Sequence, residues 1–137
     1  MSGIRSRDTR PELIVRKGLH ATGLRYQLHS RDLAGRPDLV FRSRRAAIFV
    51  HGCFWHGHDC HLFKVPGTRR DWWTAKIDRN RTRDAQAFEQ LEADGWRVLT
   101  IWECSLRGKF ALGSAEVVRQ AAEWVRHGTR STEVSGA

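Results

Sequence analysis

The chain has 137 residues, with 24 Lys+Arg against 15 Asp+Glu and a formal net charge of +9. That length suits one domain with one core, and the cationic excess points to a polyanionic partner, because each phosphate neutralised releases a condensed counterion. No apolar run is long enough for a transmembrane helix, Met1-Ser2-Gly3-Ile4-Arg5 is not a signal peptide, and three cysteines suit metal or thiol chemistry in a reducing cytoplasm rather than a disulfide framework.

Thr9-Arg10-Pro11-Glu12 predicts a helix start, with Thr9 as cap, Glu12 three residues on as in a capping box, and Pro11 tolerated in the first turn. The helix is expected to run to about Ala21 and to stop at Gly23. Leu24 to His29 reads as a short strand. Leu33 to Asp38 reads as a turn that delivers Asp38 to the start of a strand over Leu39–Arg42. After a polar turn at Ser43 to Arg45, the apolar run Ala46 to Val50 suits a buried central strand. His51 to Arg70 reads as a loop of about twenty residues, a length uncommon in a compact domain unless the loop is functional or braced.

Asp71 is expected to cap a second helix that ends before Gly95, with Trp73, Ile77, Phe88 and Leu91 on its apolar stripe. Arg97 to Trp102 reads as another buried strand, with Trp96 and Trp102 in the core. Ser114 is expected to cap a last helix, with Val118, Ala122 and Val125 on one face and Trp124 packing beside them. Gly128 to Ala137 reads as a loose, flexible polar tail, leaving a single domain at 1–127. The order α-β-β-β-α-β-α predicts an α/β or α+β fold, with helices on a small mixed sheet.

The segment from Val50 to His61 carries the chemistry. Cys53, His58 and Cys60 stand at C-x4-H-x-C, and Cys104 follows the strand Arg97–Trp102, so it can return to the same place. Three thiolates and one imidazole close a tetrahedral zinc site, and a closed shell makes the metal structural. His61 is an alternative to His58 that spacing leaves open.

Asp38, at a strand start after Pro37, is placed to ligate Mg²⁺, although an aspartate after a proline is more often a turn residue. The acidic-x-lysine triplet usual on the next strand of restriction-endonuclease cores is missing, and the chain reads Phe49-Val50-His51 there. The Val50 carbonyl is left to offer an oxygen, and His51 and His56 to carry protons. Glu12 and Asp84 lie on predicted helices, where a glutamate commonly caps and an aspartate solvates. Each also has the reach to turn inward, Glu12 to metal-bound water and Asp84 to orient an imidazole.

Phe54, Trp55 and the pair Trp72-Trp73 lie in or beside this loop, interleaved with Lys64, Arg69, Arg70, Lys76, Arg79, Arg81 and Arg83. Aromatics among cations suit a DNA groove, where rings open a base step; the plainer reading is that they cover the zinc site.

Gly35-Arg36-Pro37-Asp38, Phe49-Val50-His51-Gly52-Cys53-Phe54-Trp55-His56, Cys60-x-Leu62-Phe63-Lys64-x-Pro66, and Gly95 through Cys104 together resemble the very short patch repair endonucleases, from about Met1 to Arg107. The resemblance implies a restriction-endonuclease-like fold with structural zinc. It also implies nicking of one DNA strand 5′ to the thymine of a T·G mismatch, the lesion left when 5-methylcytosine deaminates in a methyltransferase's recognition sequence. By this resemblance Asp38 is the Mg²⁺ ligand beside the Val50 carbonyl, His56 the general base and His51 its partner at the scissile phosphate, with Glu12 and Asp84 in the same centre. Phe54, Trp55 and Trp73 match the intercalating trio, and Cys53, His58, Cys60 and Cys104 the zinc ligands. Lys76 and Asn80 match the mismatch-facing helix. The chain departs from the family at Val50, where threonine occurs, and family members often carry a longer segment before the position of Met1.

The expected partners are double-stranded DNA and, functionally, a cytosine-5 DNA methyltransferase, for a monomer at the bacterial nucleoid. Two rival readings stand beside this one. One is a restriction endonuclease of the same fold that cuts paired duplex; the other is a zinc-braced DNA-binding module without catalysis.

Overall fold

A computed structural model describes residues 9–136, so the reading of Met1 to Arg5 and the final Ala137 lie outside the described residues. Helix α1 spans Arg10–Ala21, and Thr9 caps it, its side chain accepting from the Glu12 amide. Strand β1 is only Gln27–Leu28, shorter than the predicted Leu24–His29. Strand β2 is Leu39–Phe41, and Arg42 already belongs to a 3₁₀ turn that ends at left-handed Arg45. Strand β3 is Ala46–His51, and strand β4 is Arg97–Trp102.

Helix α2 spans Arg70–Ala93. Its cap is Arg69 rather than Asp71, which lies inside the first turn, where a carboxylate complements the helix dipole. Helix α3 is Ser114–His127, so Ser114 is its first residue and not its cap. The predicted loose tail is corrected over part of its length, because Thr132–Val134 forms a fifth strand, β5, with Val134 buried. Those three residues lack an apolar run, and it is pairing with β4 that orders them.

The strands lie in the order β1-β2-β3-β4-β5. The first two pairings are antiparallel and the last two parallel, a small mixed sheet as expected. Strand alternation sorts the side chains into two layers. Leu39, Phe41, Ala46, Ile48, Leu99 and Ile101 pack against α1 and α3, making the larger core with Val15, Leu19, Val117 and Val125. The opposite face, with Val40, Ala47, Phe49 and Val98, meets Leu91 and Trp96.

That second layer is thin. Of the 24 residues of α2, only Ile77 and Leu91 are buried, while Phe88 is 40% exposed and Trp73 half-buried, so the predicted four-residue stripe is half correct. A helix this polar leaves space between itself and the sheet. A cleft of about 670 Å³ opens there, between α2 and the faces of Phe49, His51, Thr100 and Trp102.

Candidate active site and metal centre

The β3 strand ends where β2 begins. Antiparallel pairing sets Leu39 opposite Ile48 and brings Asp38 beside Val50, whose amide donates to Asp38 Oδ2 at 2.7 Å. Asp38, Val50, His51, His56 and Asp84 all line the cleft. His51 and His56 stack, with ring centroids 3.7 Å apart. His56 Nδ1 meets Asp84 Oδ2 at 2.6 Å, so α2 orients the imidazole and leaves Nε2 for another partner. Burial, with the neighbouring His56 ring, pushes His51 down to about 3, and its Nδ1 is buried with no hydrogen-bond partner among the described residues.

Glu12 turns inward from α1 and is fully buried. It joins Asp38 and not the histidine pair: Glu12, His29 and Asp38 offer ligand atoms all within 4.8 Å of one another. Burial, opposed by the Val50 amide and reinforced by the Glu12 carboxylate, raises the Asp38 carboxyl to about 8. Two carboxylates crowded into low dielectric call for a proton or a cation, and their hard oxygen atoms fit a divalent ion.

The loop after β3 divides its histidines at one glycine. Gly57 adopts φ +63° and a side chain there would strike Ile77 and Arg81, so only glycine fits without strain. Arg81 donates to the Gly57 carbonyl and pins the turn. On one side His56 reaches Asp84. On the other, His58 Nδ1 lies 3.5 Å from Cys53 Sγ and 3.6 Å from Cys104 Sγ.

Cys53, His58, Cys60 and Cys104 keep their ligand atoms within 4.8 Å of one another, a group that contains His58 and not His61. His61 instead packs edge-on against Phe110. The Cys104 amide donates to Cys53 Sγ and the Gly136 amide to Cys104 Sγ, each at 3.3 Å. Burial and neighbouring sulfurs raise the Cys53 and Cys104 thiols above the usual range, a cost that a bound cation removes. Four soft donors with amide support fit a tetrahedral metal.

Phe54, Trp55 and Trp73 form one cluster, with centroid separations of 5.0, 5.5 and 5.5 Å. Asn80 donates to the Trp55 carbonyl at 2.8 Å and so holds this cluster on α2. The Lys76 ammonium lies 6.0 Å from the Trp72 ring centroid. Trp102, expected in the core, stands at the site instead: strand alternation turns it to the α2 face, where it stacks on His58 at 4.1 Å.

Sequence reasoning missed three neighbours. His29 meets Glu12, Glu133 accepts from Trp102, and Glu103 accepts from the Cys53 amide at 3.2 Å. His29 is set opposite Asp38 by the pairing of Leu28 with Leu39, a register that no local pattern in the sequence carries.

A carboxylate-oriented imidazole in a cleft beside a crowded carboxylate pair is an arrangement suited to hydrolysis. Comparison with known proteins gives the class its family. The sequence profile described as "DNA mismatch endonuclease Vsr" matches residues 1–62. "Type II nicking enzyme V.XorIIP" from Xanthomonas oryzae pv. oryzae is 51% identical over 112 residues, covering 82% of each chain. "DNA mismatch endonuclease Vsr" from Escherichia coli is 43% identical over 125 residues, covering 91% of this chain and 80% of that one. "Type II nicking enzyme V.NmeAIP" from Neisseria meningitidis is 39% identical over 109 residues, 80% of this chain and 78% of its own. The chain belongs to the Vsr family, and it is a DNA endonuclease. Among the described residues, no helix is long and apolar enough to cross a membrane.

Proposed function

We propose that the protein nicks one DNA strand 5′ to the thymine of a T·G mismatch left by 5-methylcytosine deamination, and so initiates very short patch repair beside a cytosine-5 methyltransferase. The observation that carries this reading is the convergence of Asp38, His51, His56 and Asp84 on one cleft, next to an aromatic cluster built around the same loop. The family membership supports it, as does a relative whose name is that of a mismatch endonuclease.

His56, oriented through Nδ1 by Asp84, accepts the proton of the attacking water at Nε2, help of a kind that contributes about 10²–10⁴-fold. His51 stays neutral, backs the His56 ring and faces the scissile phosphate. Asp38 and the Val50 carbonyl would hold a divalent cation, Mg²⁺ in this reading, with the Glu12 carboxylate beside them. When bound, that ion supplies charge neutralisation at the phosphate and the leaving oxygen. Cys53, His58, Cys60 and Cys104 would hold a structural zinc, which would brace the loop. Phe54, Trp55 and Trp73 enter the duplex at a base step, most cheaply where pairing is already weak, while Lys76 and Asn80 face the mismatch from α2.

The reading takes the described chain as one restriction-endonuclease-like domain, monomeric and acting at the nucleoid. The test is incubation with Mg²⁺ and end-labelled duplexes that differ only in T·G against C·G, across sequence contexts. A nick confined to the thymine strand of T·G duplexes is expected. Cuts in both strands of paired duplex, or binding without product, would replace the reading with one of its rivals.

A further inference from the structure

We propose that His29 supplies a nitrogen donor to the cation site of Glu12 and Asp38, and that the site thereby favours Mn²⁺ over Mg²⁺. The inference rests on the reading above, that Asp38 holds the catalytic cation, and adds a ligand and a metal preference to it.

The placement of His29 is specific. Its Nε2 lies 2.7 Å from Glu12 Oε2 and 4.0 Å from Asp38 Oδ1. Its amide donates to the Asp38 carbonyl at 3.1 Å, tying its backbone to the strand that carries the carboxylate. Its φ is +48°, a left-handed conformation that a residue with a side chain adopts at a cost of order 1 kcal/mol. With the backbone in that conformation, the ring nitrogen stands beside the two carboxylates. Arg16 also meets Glu12 Oε2, at 3.1 Å, so Glu12 is already oriented without His29. An imidazole added to an oriented carboxylate pair contributes something besides one more hydrogen bond.

What it contributes is donor softness. Mg²⁺ prefers an all-oxygen octahedron and keeps its waters, whereas first-row transition ions bind imidazole nitrogen readily. Two carboxylates and one imidazole therefore favour Mn²⁺, which accepts both donor types. The Cys₃His cluster does not compete for this ion, because thiolates select zinc.

The experiment uses the zinc-loaded full chain. Mn²⁺ binding is followed by electron paramagnetic resonance, with Mg²⁺ as competitor, and pulsed spectra report any nitrogen coupled to the bound ion. Wild type is expected to bind Mn²⁺ about ten-fold or more tightly than Mg²⁺, with an imidazole nitrogen coupling. His29→Gln keeps a hydrogen-bond donor for Glu12 but no nitrogen lone pair. It should lose the coupling and bring the two affinities within about three-fold of each other. A wild-type protein with no preference, or a coupling that persists in His29→Gln, overturns the inference; the wild-type measurement decides even if the variant folds poorly. Asp38→Asn is the control: if it binds Mn²⁺ as wild type does, it is the reading of Asp38 as cation ligand that fails.

Discussion

His51 and His56 lie ring on ring, with their planes 1° apart, and Asp84 contacts only the outer of the two through its carboxylate. The inner ring is therefore the one that cannot take a proton cheaply. Burial first, and the adjacent imidazole second, hold His51 at about 3 against an ordinary 6.5. The folded state then binds fewer protons than the unfolded one between those values, so the stability His51 confers is full above 6.5 and declines as pH falls below it. Between pH 7 and 5.5 the wild type should lose about 1 kcal/mol more than His51→Phe, which keeps a flat ring and takes no proton. Urea denaturation at fixed zinc across that range checks it, and parallel stability curves would assign the acid sensitivity elsewhere.

Asp38 works in the opposite direction. Its carboxyl is raised from 3.8 to about 8, so the folded state binds the extra proton and stability is lost as pH rises through that window. Asp38→Asn keeps an oxygen for the Val50 amide and removes the charge. The variant should lose nicking, yet melt above wild type at pH 8 in the absence of divalent ions. Added Mg²⁺ or Mn²⁺ should raise the melting temperature of wild type alone, as a ligand that binds only the native state must. Equal melting temperatures with and without metal in both proteins would remove Asp38 from the cation site.

The two sites were legible to different depths, and sequence separation explains it. Cys53, His56, His58 and Cys60 fall within eight residues of one loop, so their spacing flags candidate ligands and proton carriers but leaves His58 and His61 open. The continuous apolar run of β3 and the apolar residues of β4 make the central strands readable as well. His29 and Glu133 reach the site only through strand pairing, across β1–β2 and β4–β5, and no local pattern carries that information. Trp102 looked like core because an apolar strand residue usually is. Its face of the sheet is the one that α2 covers incompletely, and a residue's face cannot be assigned before its covering helix is known.

The choice between His58 and His61 has a direct solution test. His58 stands among the cysteines, while His61 sits behind Phe110 with its Nε2 buried and unpartnered among the described residues. His58→Ala should bind zinc at least about ten-fold more weakly, lower the melting temperature and loosen residues 52–69 to protease, since removing a ligand opens the shell. His61→Ala should keep one zinc per chain. Zinc released on thiol modification gives the stoichiometry, and the reverse ranking of the two variants would contradict the assignment.

Glu133 tests whether the C-terminal strand belongs to the site. It pairs in register with Thr100 on β4 and accepts from Trp102 Nε1 at 2.5 Å. Trp102 in turn stacks on His58 and meets His51 edge-on at 5.3 Å, so one indole touches both the metal cluster and the histidine pair. The Gly136 amide on Cys104 Sγ ties the same segment to the cluster a second time. Glu133→Val leaves the indole N–H without its acceptor, an exposed loss of about 1 kcal/mol in stability. Freed from that anchor, Trp102 no longer fixes the planes of His58 and His51, and single-turnover nicking should fall several-fold while the DNA dissociation constant stays within about two-fold. Glu133→Gln keeps an acceptor oxygen and should restore most of the rate. If Glu133→Val matches wild type, or if Gln fails to rescue it, the strand is packing alone and Trp102 is held by its ring contacts.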